Sequence, residues 1–535
     1  MTRALGCALA WLEEAIATRR GMTGLFVLAV AGYGLQSVAL PLTPGRDFAT
    51  YLRYYEQLFS DWGSVQPMSM LHRTPVTPIV LGAPLDLLGA AVTQAWVAIL
   101  YALSIVAWAR VALTFGRRAA LLTAAALLCY PGYWIIFHRV STEAIFAAAF
   151  AGWAVLLSRY WLRPSWRGFA LVGLAAAMLA LVRPGNQVLL VLAVLPLALR
   201  MPWRTRLAHA GAFLLAGVGV LAIWAAHNGI RYDDYTVARG ANAFMPFYRV
   251  YVTDHIVSPE NGTASRDLAR VVEERLLPEE PYRSYGLDLR RLFAEGSDAM
   301  HQDLMNLSDQ VWGWDSDYSK LRAVALEAIA QHPARYAKGV ATTVKNELWW
   351  PVYWPLDRPS ETSAEDGSTT VVAGKEVPAL TRGDPIPAPR MGLYSTTPDG
   401  SIREVWTSPT AHRIVLADPG DQRRFDELTR DVEALKAKLP AYDTSYTAKL
   451  YVNRASRWYP RPALWLAVGL IGLLMRRPRN AGLALALAAA GLLVITFTAL
   501  GIYEVFEFVA PVVPAFILVG AAGLVGVKRG AAMSP

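Results

Sequence analysis

The chain is poor in charged residues and in cysteine. Only 17% of its 535 residues are Asp, Glu, Lys or Arg, whereas soluble domains average about 25%. This is too little charge to cover a water-soluble surface, and the 54% of hydrophobic residues excludes a disordered chain. The two cysteines, Cys7 and Cys129, lie far apart in segments predicted at or in a membrane, which argues against a disulfide framework. The composition therefore predicts a membrane protein.

Ten apolar runs are long enough, or nearly so, to cross a bilayer, which takes roughly 20 helical residues. They are Thr23–Leu40, Thr93–Phe115, Ala119–Phe137, Ala144–Trp161, Gly168–Val182, Gln187–Leu199, Leu207–His227, Ala463–Met475, Ala481–Leu500 and Val505–Val527. The predicted fold class is a polytopic α-helical membrane protein with about ten transmembrane helices and a mixed α/β extracytoplasmic domain.

Every second loop is basic, and only Glu13 and Glu14 oppose this charge. By the positive-inside rule both termini are predicted to be cytoplasmic. The basic residues thus indicate orientation, and no basic patch lies in a soluble domain, so nucleic-acid binding is not predicted.

The spans divide the chain into three predicted regions. These are an N-terminal transmembrane module at 1–227 with its first outer loop at 41–90, an extracytoplasmic domain at 228–458, and C-terminal transmembrane helices at 459–535. The outer domain has charged helical stretches at Lys320–Trp350 and Gln422–Leu439, and a predicted loop rich in Pro, Gly, Ser and Thr at Pro351–Gly400.

The first outer loop begins with a carboxylate and an amphipathic segment. Asp47 precedes apolar residues at helical spacing from Phe48 to Phe59, which predicts a short helix in the membrane interface. Arg53, Glu56 and Gln57 are expected on its opposite face. Asp47 is either a helix N-cap or a catalytic base for a hydroxyl, and the two roles are compatible. The later apolar run Ile79–Leu88 is too short to span and is predicted to be re-entrant or interfacial.

Two further polar residues are predicted at the outer rim. Glu143 opens span four, either as a functional acid or as an acid favoured by the helix dipole. Arg183 lies in the turn between the unusually short spans five and six, below the outer surface. It is expected to bind a lipid phosphate or to snorkel. The predicted rim residues are Asp47, His72, Arg73, His138, Arg139, Glu143 and Arg183.

Acids and cations at a lipid boundary suit chemistry on a phosphorylated lipid. A transporter would be expected to place its charges near the midplane, often on broken helices. A transporter or lipid flippase is the alternative. A membrane-anchored binding protein is a further alternative, but an anchor needs only one or two spans, so the ten predicted spans argue against it. No His/Cys/Asp cluster has metal-ligand spacing, so no required metal or other cofactor is predicted, although a divalent metal remains possible.

Several motifs, in their order along the chain, resemble the GT-C superfamily of polyprenyl-phosphate-sugar-dependent glycosyltransferases. The nearest branch is similar to the protein O-mannosyltransferase, aminoarabinose-transferase and arabinofuranosyltransferase group. The matching segments are Arg46-Asp47…Tyr51, His72-Arg73-Thr74-Pro75-Val76-Thr77-Pro78, Ser141-Thr142-Glu143, Leu181-Val182-Arg183-Pro184, His227-Asn228-Gly229…Arg239-Gly240-Ala241-Asn242 and His332-Pro333-Ala334-Arg335-Tyr336. This chain departs from the pattern in two places: the paired acids of the family's first loop are here the single Asp47 flanked by Arg46 and Phe48, and Glu504–Phe508 stands where many relatives carry Arg-Tyr.

The resemblance implies sugar transfer at the extracytoplasmic face of the inner (plasma) membrane. The donor would be a polyprenyl-phosphate sugar, the acceptor a glycan, lipid or protein, and the displacement direct with inversion. Asp47 would be the base, and Glu143 would orient the sugar or acceptor or help to hold a metal. The residues implied in donor-phosphate binding are Arg183, Arg73, His72, His138 and Arg139, and those in substrate positioning are Arg46, Tyr51 and Tyr54.

Overall fold

The computed structural model describes residues 2–59, 72–240, 242–278, 282, 286–313, 316–356, 369–372, 375–378, 402–408, 411–439, 445–478 and 480–526. The first half contains helices α1 Thr2–Ala15, α2 Arg19–Ser37, α3 Phe48–Phe59, α4 Val76–Ala112, α5 Arg117–Leu128, α6 Pro131–His138, α7 Thr142–Leu162, α8 Trp166–Val182 and α9 Trp203–Tyr232. The second half contains α10 Phe244–Tyr248, α11 Thr263–Val271, α12 Leu289–Ala294, α13 Asp298–Trp312, α14 Ser319–Gln331, α15 Pro333–Trp349, α16 Pro419–Lys438, α17 Tyr446–Trp458, α18 Pro462–Arg476, α19 Ala481–Ala499, α20 Phe506–Val509 and α21 Val513–Val525.

Strands are few and short. They are β1 Thr43–Pro44, β2 Arg139–Val140, β3 Thr369–Val372, β4 Lys375–Pro378, β5 Ile402–Ser408 and β6 Ala411–Leu416. β1 pairs with β2 in parallel, whereas β3–β4 and β5–β6 are antiparallel hairpins.

Several helices have the length and apolar composition needed to cross a membrane. They are Val76–Phe115, Thr142–Leu162, Trp203–Tyr232, Tyr446–Arg476 and Ala481–Ala499, and α5 with α6 forms a further candidate bent by 54°. These contain predicted spans two, four, seven, eight, nine and three. The polytopic membrane character is therefore confirmed, while the count of ten spans stays a prediction.

Two predicted spans have a different form. Span six is a 3-10 helix, Pro184–Ala198. Span ten starts at Val513 rather than Val505, because Pro511 lacks the N–H that a continuous helix would need. The residues before it form a separate short segment, which lines the candidate site.

The first outer helix is confirmed, but it is more deeply buried than an interfacial helix. α3 packs against both α4 and α16, and Gln57, expected on its polar face, is buried. Leu428 and Val432 of α16 belong to the same hydrophobic core as Phe48. Helix α16 of the predicted extracytoplasmic domain therefore covers the face of α3 that the sequence predicts to be in water.

The run Ile79–Leu88 is helical and forms the first part of α4. Gly89, with φ of 77°, breaks the helix between this part and predicted span two. The left-handed φ suits glycine. Whether the first part is re-entrant or interfacial stays a prediction.

The described part of the outer segment is largely helical and contains a second hydrophobic core. That core includes Phe247, Leu268, Leu304 and Leu321. Strands occur here only as the two hairpins, so the predicted mixed α/β domain is not confirmed. Both predicted charged helical stretches are helical, whereas most of the predicted loop at 351–400 lies outside the described residues.

Candidate functional site at the outer rim

A two-residue strand pairing joins the first outer loop to the turn before α7. Thr43 is in register with Arg139, and the Gly45 N–H donates to the Val140 carbonyl at 2.9 Å. A Cβ at Gly45 would lie 2.8 Å from that carbonyl oxygen, so a larger residue would push the loops apart. The pairing holds the segment that carries Asp47 beside the start of α7.

Asp47 lies between β1 and α3 in a left-handed conformation, with φ of 58°. Its carboxylate accepts a hydrogen bond from Arg73 Nη2 at 3.0 Å, and 43% of the Asp47 side chain is exposed. Its backbone carbonyl accepts the Tyr51 N–H at 3.1 Å, as the carbonyl of a helix N-cap does. The carboxylate is thus engaged by a cation and open to an incoming hydroxyl.

Tyr51 brings the acids and cations of the site together. The Arg73 guanidinium lies 5.6 Å from the centre of the Tyr51 ring. Burial raises the pKa of the Tyr51 phenol, Asp47 and Glu143 add to this effect, and Arg73 and Arg183 oppose it. Charged groups from three separate loops therefore act on one phenol, as a shared site requires.

Arg183 follows α8 as its C-cap residue, and its side chain is 17% exposed. Its guanidinium carbon is 3.4 Å from the centre of the Phe508 ring, and the nearest carboxylate oxygen, Glu143 Oε1, is 4.0 Å away. Glu143 is almost fully buried and accepts a hydrogen bond from the Thr142 hydroxyl at 3.0 Å. Within the described residues the Arg183 guanidinium has an aromatic partner and no acid within hydrogen-bonding distance, although Glu143 and Glu347 act on it electrostatically, so its hydrogen-bonding fork has capacity for an anion.

Residues 501–509, which we call the C-terminal strap, connect α19 to α21 across this cluster. The strap supplies a partner to each of three predicted site residues: the Tyr503 hydroxyl to Arg46 at 3.1 Å, the Glu507 carboxylate to Arg139, and the Phe508 ring to Arg183. The segment in which this chain departs from the GT-C pattern is therefore part of the site.

Glu347 is a site residue that the sequence did not single out. It lies on α15, only 1% exposed, and its Oε1 accepts the Val505 N–H of the strap at 3.3 Å. Burial raises its pKa to about 8, and the Arg183 charge acts in the opposite direction. Its helix reads as charged and amphipathic, so an acid there is expected in water.

The two predicted histidines do not join the cluster. His72 Nδ1 lies 3.0 Å from the Arg239 carbonyl oxygen, and burial lowers the pKa of His72 to about 3, so its ring is neutral. His138 stacks on Tyr33 at 4.2 Å between ring centres and lies 3.3 Å from Gln36. Both rings face protein, and we assign neither to phosphate binding below.

The predicted positioning residues also differ in placement. Arg46 is at the cluster, bonded to Tyr503 and 5.8 Å from the centre of the Phe508 ring. Tyr54 is fully buried, and its hydroxyl has no hydrogen-bond partner among the described residues. Arg46 and Tyr51 therefore lie at the site, whereas Tyr54 is buried in the protein interior.

Within the described ranges, no three His, Cys, Asp or Glu side chains form a group that could hold a metal ion. The acids of the cluster instead contact arginines, a backbone N–H or, for Glu504, the side chains of Thr343 and Asn346. Dependence on a divalent metal stays untested.

Two crystal structures of ArnT from Cupriavidus metallidurans, one bound to undecaprenyl phosphate and one in the apo state, are similar to this chain. Each is 14% identical with a TM-score of 0.32. The match to the first structure covers 95% of this chain and 78% of the matched chain. The match to the second covers 94% of this chain and 77% of the matched chain. No protein-family profile and no curated protein matches the chain.

Proposed function

We propose that this protein is an integral-membrane glycosyltransferase. It would move a sugar from a polyprenyl-phosphate donor to an extracytoplasmic glycan, lipid or protein acceptor, with inversion. The observation that supports this most is the Asp47 carboxylate, which is partly exposed and bonded to Arg73 at 3.0 Å, while Arg183 acts electrostatically on the same Tyr51 phenol as Asp47. The GT-C resemblance of the same motifs favours the same chemistry.

In the proposed reaction Asp47 takes the proton of an acceptor hydroxyl as its oxygen attacks the anomeric carbon. The bond between that carbon and the phosphate oxygen breaks, and the polyprenyl phosphate leaves with the electron pair. Negative charge grows on the phosphate, where fixed donors stabilise the transition state most. Arg183 is suited to this role because its nearest acid is 4.0 Å away.

Arg73 connects the two halves of the proposed reaction. Its Nη2 holds the Asp47 carboxylate, and its Nε is buried with no hydrogen-bond partner among the described residues. A donor phosphate would satisfy that N–H. Glu143, buried beside Arg183, would orient the transferred sugar or the acceptor.

The test is a transfer assay with the purified full chain in proteoliposomes. A panel of polyprenyl-phosphate sugars is supplied with a membrane-derived acceptor fraction, and free polyprenyl phosphate is measured by mass spectrometry. The proposal predicts release that requires both donor and acceptor. Movement of the intact donor across the bilayer without cleavage would instead support the transporter or flippase alternative.

A further inference from the structure

A cleft lies next to the candidate site and shares Glu347 with it. It forms where α15, α17 and α18 meet the bend between α5 and α6. Its lining includes Tyr130, Glu347, Trp350, Ser456, Tyr459 and Arg461. The mechanism proposed above uses none of these residues.

Two residues of this lining each carry a buried polar atom that has no protein partner within the described part of the chain. These atoms are Glu347 Oε2 and Ser456 Oγ, on residues that are 1% and 4% exposed. Buried polar atoms in native structures are nearly always hydrogen-bonded. The pair therefore calls for a ligand that can both donate and accept hydrogen bonds.

The charge of the lining argues against a phosphate as that ligand. Among the cleft residues that the structure describes, Arg461 is the cation. Its guanidinium already donates to the backbone carbonyls of Ser456, Arg457 and Tyr459, at 2.9, 2.9 and 3.5 Å. A hydrocarbon chain fits no better, because it would leave the Glu347 and Ser456 oxygens buried and unsatisfied. A neutral ligand with several hydroxyl groups satisfies both conditions.

Aromatic rings complete the lining. Tyr459 donates its hydroxyl to the Ala126 carbonyl at 2.9 Å, which fixes the ring. Trp350 is 53% exposed and offers its indole at the cleft. Rigid aromatic faces beside a few fixed polar groups are typical of small-molecule sites, and such faces pack well against the C–H face of a sugar ring.

We propose that this cleft binds a neutral sugar ring of the acceptor, with Glu347 and Ser456 bonding its hydroxyls and Trp350 stacking on it. The identification of the ligand as the acceptor rests on the proposed function. The position of the cleft supports it, because Glu347 lines the cleft and also interacts electrostatically with Arg183.

The test measures binding without transfer. A panel of methyl hexosides and methyl pentosides is added to the full chain in nanodiscs, and saturation-transfer difference NMR reports which sugar protons contact protein. We expect at least one methyl glycoside to bind, with its signal reduced about tenfold or more by Ser456→Ala and by Trp350→Ala. Glu347→Gln, which keeps a donor and an acceptor, should retain binding that Glu347→Leu abolishes. Ser158→Ala, whose hydroxyl bonds to the carbonyl of Val155 within its own helix, is the control and should bind normally.

The binding test and the transfer assay have separate outcomes. If donor cleavage is observed but no glycoside binds, or binding is unaffected in Ser456→Ala and Trp350→Ala, the cleft proposal is wrong and the enzymatic proposal stands. If glycosides bind as expected but no donor is cleaved, the cleft is a sugar site of a protein with another activity. Displacement of the glycoside signal by undecaprenyl phosphate would mean that the cleft takes the lipid, and would overturn the proposal.

Discussion

The arginines at the rim differ in what already holds them. Arg73 is paired with Asp47, Arg139 with Glu507, and Arg46 with a tyrosine hydroxyl. Arg183 stacks on an aromatic ring and has its nearest carboxylate oxygen at 4.0 Å. An incoming phosphate has least to displace at Arg183.

Arg183→Ala should therefore impair use of the donor while the fold is retained. Loss of one fixed donor to a developing anion typically costs about 10²–10³ in rate. Arg183→Lys should recover part of the loss, because an ammonium provides the charge without the bidentate fork. Initial rates at varied donor concentration measure the effect. Arg231→Ala, at an exposed arginine that bonds to its neighbour Tyr232, is the control, and normal rates in Arg183→Ala would leave Arg183 a snorkelling residue.

Glu347 predicts a pH dependence of stability. Its pKa is about 8 in the folded protein and 4.5 in its ordinary state, so the folded chain holds an extra proton between these values. The neutral acid therefore stabilises the fold at low pH, and this contribution is lost as the pH rises through 8. The groups that act on it are Arg183, Glu504 and Arg249.

Glu347→Gln mimics the neutral acid and should remove this dependence. Between pH 5 and pH 9 the wild type should lose on the order of 3 kcal/mol relative to the variant. Thermal melting of the detergent-solubilised proteins across this range measures the difference. Parallel pH profiles for the two proteins would show that Glu347 is ionised when folded.

At the scale of elements, close glycine contacts hold α18 against the central helix α21. A Cβ at Gly523 would lie 2.5 Å from the Gly469 carbonyl oxygen, and one at Gly472 would lie 2.4 Å from Gly523. Small residues allow this approach between apolar helices. The last part of the strap is α20, and α21 begins four residues after it ends. The contact between α18 and α21 therefore also fixes the position of the end of the strap.

Gly523→Val should separate these helices and destabilise the protein by roughly 1–3 kcal/mol or more. Gly219→Val is the matched control, because a Cβ there meets nothing within 4 Å. Melting temperatures of the two variants should differ clearly, with Gly219→Val near wild type. Equal melting temperatures would contradict the close packing of α18 on α21.

The helices were predictable from the sequence because apolar runs and helical periodicity are local patterns. The strap was not, since Arg46 and Tyr503 are 457 positions apart and Arg139 and Glu507 are 368 apart. No local pattern encodes such contacts. The direction of the His138 side chain was likewise unpredictable. Successive residues of a helix point in different directions, so a shift of one residue decides whether a side chain faces the rim or the Tyr33 ring.

At the scale of the whole molecule, loops predicted on the cytoplasmic side contact one another. Glu13 lies before span one, and Arg118 lies between spans two and three. The Glu13 carboxylate accepts a hydrogen bond from Arg118 Nε at 3.0 Å. Asn480, between spans eight and nine, donates to the Thr114 carbonyl at 3.2 Å. The segment before span one and the loops between spans two and three and between spans eight and nine therefore lie at one end of the bundle.

Reporter fusions should place that end in the cytoplasm. Fusions at Arg117 and Arg476 are expected to read cytoplasmic, and one near Pro385, outside the described residues, to read external. The physical reason is the retention of arginine-rich loops inside. An external signal at Arg476 would contradict the topology.

The central claim is that the Asp47 carboxylate accepts the acceptor proton, and the most direct measurement is turnover of purified Asp47→Asn in the proteoliposome transfer assay. The variant loses a half-exposed ion pair, so its stability should fall by no more than about 1 kcal/mol, while loss of a general base should cost about 10²–10⁴ in rate. Asp86→Asn is the matched control, because Asp86 is also half-exposed, at 37%, and bonds a cation, Lys438, at 2.9 Å outside the cluster. We predict near-normal turnover in Asp86→Asn and severe loss in Asp47→Asn, with both proteins folded. Wild-type turnover in a folded Asp47→Asn would contradict the account and make Glu143 the next candidate for the base.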